Sequence, residues 1–134
     1  MARSTVAVIA GILAAFATIL LVEALGALVV PAGAAPSFRD VERMRIYLAT
    51  LPASAYAFVL AAYLAGSAIG GLVAIRVVRN PASRAVWVVG GFLLVVMVAN
   101  LALIAHPLWF SIAAVVAIFV GTGLASRYRR AATG

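Results

Sequence analysis

The sequence predicts an all-α integral membrane protein: a four-transmembrane-helix bundle of two antiparallel hairpins, with a short amphipathic surface helix between helices 1 and 2. Three observations point there. Of 134 residues, 67% are hydrophobic and only 10% are charged, where a soluble domain carries about 25% charged residues. Four apolar stretches, residues 6–30, 53–75, 85–105 and 108–126, each approach or exceed the roughly 20 residues that a helix needs to cross hydrocarbon. All ten basic residues are arginines, and they lie outside those stretches or at their ends, as topology determinants do. Residues 1–134 read as a single membrane domain.

The first stretch, Val6 to Val30, holds one charged residue, Glu23. An ionised acid in a membrane helix costs roughly 2.5–3.5 kcal/mol on insertion scales, so it is expected to face the bundle as a protonated, hydrogen-bonded carboxyl. Ala32-Gly33-Ala34 has the form of a signal-peptide cleavage site. The run before it is much longer than the roughly 7–15 residues of a signal-peptide apolar region, and an uncleaved first span is the expectation.

Pro31 ends that span. Ser37-Phe38-Arg39-Asp40 has capping-box spacing, with Asp in place of the usual Glu or Gln, for a helix over residues 38–50. Val41, Met44, Leu48 and Leu51 fall on one side of it, as in a helix lying on a membrane surface; an ordered connector is the other reading.

Pro52 opens the second span, suiting proline's tolerance in the first helical turn. Ala62, Gly66, Gly70 and Ala74 recur every fourth residue as a small-residue ridge for close helix packing. Tyr56 lies near the boundary, and Tyr63 about 15 Å into the span at 1.5 Å per residue. Arg76, Arg79 and Arg84 flank a turn at Asn80-Pro81-Ala82-Ser83. The third span contains Gly90-Gly91 and Asn100, His106-Pro107 breaks it, and the fourth runs to Ser126 ahead of Arg127, Arg129 and Arg130.

Arg3, the turn after the second span and the C-terminal arginines fall on one side of the membrane, with no acid. Arg39, Arg43 and Arg45, offset by Asp40 and Glu42, fall on the other. The positive-inside rule then places both termini in the cytoplasm. Arginine without lysine in an Ala-, Val- and Gly-rich chain suggests a GC-rich bacterial genome, and hence the bacterial inner membrane. The net charge of +7 is accounted for by these boundary arginines, so nucleic acid is not an expected partner. The bilayer is, together with a homo-oligomer or a larger membrane complex.

Glu23 lies about 10 Å below the outer boundary and Asn100 about 9 Å below it, counting from Val30 and His106. Matching depth makes Glu23, Asn100, Tyr63 and Tyr56 a candidate intramembrane polar cluster. Such a cluster either fixes helix packing or forms a protonation and substrate site. His106 and Trp109 read as interface anchors. With no cysteine and a single histidine, neither a thiol chemistry nor a metal or other cofactor is expected. No catalytic triad, phosphate loop or paired intramembrane acid points to an enzyme.

Four short spans with one glutamate in the first resemble, in outline, the small multidrug resistance transporters. There the acid lies nearer the start of the first helix and the loops are short, whereas Glu23 comes late and a long loop follows, so no residue roles carry over. Val22-Glu23-Ala24-Leu25-Gly26, Leu51-Pro52, the Gly66 to Gly71 stretch, and Asn100 through His106-Pro107-Leu108-Trp109-Phe110 are similar to a family of small four-helix bacterial inner-membrane proteins. That resemblance implies the architecture. The expected role is accessory, structural or self-associating. A proton-coupled transporter acting as an oligomer through Glu23, and a lipid- or membrane-stress-interacting protein, are the alternatives.

Overall fold

The computed structural model describes residues 2–37, 39–79, 84–104 and 106–131, the last three by their backbone alone. The described elements are five helices: α1 (Ala2–Val29), α2 (Val41–Thr50), α3 (Ala53–Val78), α4 (Ala85–Leu103) and α5 (Leu108–Ala131). Four of them, α1, α3, α4 and α5, are long and apolar enough to cross a membrane.

Most boundaries differ from the hydropathy reading because a helix need not stop where its apolar run stops. Alanine and arginine are good helix formers, so α1 reaches back through Arg3, α3 runs on through Arg76, and α5 continues past Ser126. Arg76 in the last turn of α3 also complements the negative end of the helix dipole. Arg79 closes α3 in the left-handed conformation at φ 53°, its N–H donating to the Ile75 carbonyl. The turn expected at Asn80 to Ser83 lies outside the described residues. α4 ends at Leu103, two residues early, with the Ile104 N–H still bonded to the Asn100 carbonyl.

The start of α2 is a correction. Asp40, not Ser37, is the N-cap, its Oδ1 accepting from the Arg43 N–H at 3.1 Å. Ser37 serves the approach instead, with its Oγ accepting from the Arg39 N–H and its carbonyl from the Asp40 N–H. An acid that points forward to cap the helix cannot also reach back to complete a capping box. The helix therefore starts at Val41, and Phe38 lies outside the described residues.

α3 is the hub, packing against α1, α4 and α5, and α4 also packs against α1 and α5. The predicted ridge Ala62, Gly66, Gly70 and Ala74 is buried. Its partner is a second ridge in α1, Ala7, Gly11 and Ala15, also spaced by four. At their crossing the backbones nearly touch: a Cβ added to Gly70 would sit 2.7 Å from the Gly11 carbonyl oxygen, and the reverse holds for Gly11. Gly66 faces Ile19 and Gly26 faces Phe58, so α1 and α3 run antiparallel. Gly121 of α5 meets Ser67, and Ala125 meets Gly71, so α3 and α5 run parallel. Gly90 of α4 meets Thr122 of α5 in an antiparallel contact.

Alanines fill much of the interior beside Val86, Val89, Met97 and Phe110, and many large apolar side chains remain outside. Ala7, Ala15, Ala62, Ala74 and Ala114 are fully buried, whereas Leu13, Leu20, Leu28, Val95 and Leu103 are exposed. At the crossings glycine and alanine let the backbones approach closely, and that approach supplies the packing there.

Candidate functional site

α1 meets α4 where Gly11 touches Val89. Further along the same two helices a fissure of about 260 Å³ opens between them. Phe16, Leu20 and Glu23 line it from α1, Leu93, Val96 and Asn100 from α4, and Tyr63 from α3. Leu20 is 64% exposed and Val96 38%, so the fissure reaches the outer side of the bundle.

A second cavity, of about 460 Å³, begins at the same three polar side chains. Glu23, Tyr63 and Asn100 form its inner end, and Met44, Tyr47 and Leu48 of α2 line it with Leu51, Phe58 and His106. α2 thus roofs a chamber, with Met44 buried beneath it. Its exposed ion pairs, Arg43 with Asp40 at 3.2 Å and Arg45 with Glu42 at 2.8 Å, lie within the helix and its cap and contribute little.

Glu23, Tyr63 and Asn100 therefore form the wall shared by both cavities. Tyr63 of α3 and Asn100 of α4 thus stand beside Glu23 of α1 on one wall. The Glu23 side chain is half-buried and lines both cavities. A carboxyl, a phenol and an amide on an otherwise apolar wall can donate and accept hydrogen bonds, or pair with a cation.

Tyr56, expected in this cluster, is elsewhere. Its hydroxyl donates to the Leu48 carbonyl at 2.7 Å, fastening α2 to α3. Its ring packs against Trp109 and Phe110, with centroids 5.3 and 5.0 Å apart, and His106 stacks on Phe110. In the first turn of α3, Tyr56 finds the Leu48 carbonyl at the C-terminus of α2 within reach; that oxygen also accepts from the Leu51 N–H, and its second lone pair satisfies the hydroxyl without the acid. Trp109 thus joins this aromatic cluster while remaining half exposed. His106 joins the cluster and also lines the chamber. Its Nδ1 lies 2.8 Å from the Ile104 carbonyl. A carbonyl only accepts, so Nδ1 carries the proton and Nε2 is the acceptor in the neutral ring.

Met44 and Tyr47 are site residues that sequence reasoning missed as such, because lining a chamber depends on where α2 docks and not on its periodicity. Thr122 was not singled out either: its Oγ1 is buried without a hydrogen-bond partner among the described residues, against Gly90. Among the described residues no group of three or more His, Asp or Glu gathers to hold a metal.

Comparison with known proteins finds no matching family model, no matching curated protein and no matching solved structure.

Proposed function

We propose that the protein is a multi-pass protein of the bacterial inner membrane that moves a small molecule past Glu23 in exchange for a proton. The observation that carries this reading is the single polar wall between two cavities. A carboxyl reached from both sides can bind a molecule arriving by one route and release it by the other when its protonation changes. The matched ends of the helices support the membrane placement. The start of α1, the end of α3, the start of α4 and the C-terminal part of α5 carry Arg3, Arg76, Arg84 and Arg127 to one end of the bundle, the cytoplasmic one by the positive-inside rule. The antiparallel contacts of α1 with α3 and of α4 with α5 support the two-hairpin arrangement. The chamber and α2 then face the periplasm.

The small-residue ridge of α3 favours transport within one chain over a purely self-associating role, because α1 of the same chain already covers it.

Proteoliposomes holding an imposed pH gradient test the reading. A panel of small amphiphilic amines and alcohols is added, and an internal pH dye follows the gradient. At least one compound should collapse it through the wild-type protein and none through Glu23→Gln. Equal collapse in the two, or none in either, would overturn the proposal.

A further inference from the structure

We infer that the molecule handled at Glu23 is a single-chain amphiphile with a neutral or cationic head, which enters from the bilayer between α1 and α4 and seats its head beneath α2. The inference rests on the transport reading above and adds the substrate class.

Three observations carry it. The two cavities differ in character along one path. Apart from the shared polar wall, the fissure between α1 and α4 is lined by apolar side chains only, a surface that suits an alkyl chain. The chamber beyond adds Tyr47, His106 and the polar wall itself, which suit a hydrogen-bonding head. The order of entry follows from exposure. Leu20 and Val96 stand at the outer rim of the fissure, on faces whose neighbouring large side chains, Leu13 and Val95, are also exposed. A chain dissolved in lipid meets this rim without crossing water.

The sign of the head follows from what lines the chamber. The sequence contains ten arginines, yet none is among the described residues that line either cavity. A phosphate or carboxylate head would be brought beside Glu23 with no guanidinium to compensate it. An amine pairs with the ionised carboxyl, and a hydroxyl bonds to either form, with Tyr63, Asn100 and His106 supplying further donors and acceptors.

The test uses the full chain in phosphatidylcholine liposomes and dicyclohexylcarbodiimide. This lipid-soluble reagent adds across a protonated carboxyl, so labelling is read by mass spectrometry as one reagent mass per chain. Label should appear at Glu23 and vanish in Glu23→Gln. Monoolein and oleylamine in the bilayer should each slow labelling about tenfold, as a ligand at about ten times its dissociation constant does, and oleate should not. Leu20→Trp, a change at an exposed position that fills the rim, should remove the protection by monoolein and oleylamine. Equal protection by all three compounds would overturn the selection by head charge. Labelled Glu23 protected by none of them would overturn the amphiphile while leaving proton exchange at Glu23 standing. Unlabelled Glu23 would overturn the site itself, and with it both readings.

Discussion

Asn100 of α4 and Tyr63 of α3 stand on the wall shared by both cavities, at the level of Glu23. A hydrogen bond between the two is the expected way to satisfy both side chains, and Tyr63→Phe keeps the ring while removing the hydroxyl that would make it. We expect a loss of about 1 kcal/mol in unfolding free energy, the usual net worth of one such bond. The loss should be absent when Asn100 has already been replaced by Leu, which a double-mutant cycle in denaturant measures. That Glu23, Tyr63 and Asn100 gather was legible from depth, since helix rise places Glu23 and Asn100 level with each other. Tyr56 was not legible. Its acceptor is the backbone oxygen of Leu48, and no side-chain pattern announces a carbonyl at a helix end.

At the scale of the element, the α1–α3 contact sets the rest of the bundle, because α3 also carries α4 and α5. Gly70→Val would drive its Cβ to 2.7 Å from the Gly11 carbonyl oxygen, a backbone atom with no rotamer to move aside. It should cost about 1–3 kcal/mol by overpacking, read from thermal unfolding in detergent. Gly91→Ala is the control, since a Cβ there meets nothing within 4 Å and the stability should change little. The ridge on α3 was plain in the sequence from its four-residue spacing. Its complement in α1, Ala7, Gly11 and Ala15, carries the same signal but sits in a run so rich in small and branched apolar residues that it does not stand out. The start of α2 was misplaced for a related reason: two residues able to cap, Ser37 and Asp40, stand three apart, and only the backbone path decides between them.

Across the whole molecule, α1 and α4 meet at one end and part toward the other, while α3 keeps its contacts with α1 and α5 at the chamber end through Gly26 with Phe58 and Tyr56 with Phe110. Close glycine contacts hold the arginine-bearing end together, at Gly11 with Gly70 and Val89, and at Gly71 with Ala125. Toward the opposite end the fissure and chamber open between the helices, and α2 closes over the chamber. Composition and apolar run length made the number of long helices legible, since the chain holds four apolar runs each about as long as a membrane-crossing helix. The cavities were not legible, because they arise from where large side chains fail to meet, which depends on crossing geometry and not on pattern.

The central claim is that Glu23 is reached from two directions. The natural chain has no cysteine, so Glu23→Cys supplies a single thiol at the shared wall. Its reaction in liposomes is measured with a lipid-soluble maleimide, presented through the bilayer, and with a membrane-impermeant methanethiosulfonate, presented from the α2 side. The two-cavity account predicts that both reagents modify the thiol and that Leu20→Trp slows only the maleimide. A thiol reached by one reagent alone, or by neither, would contradict it.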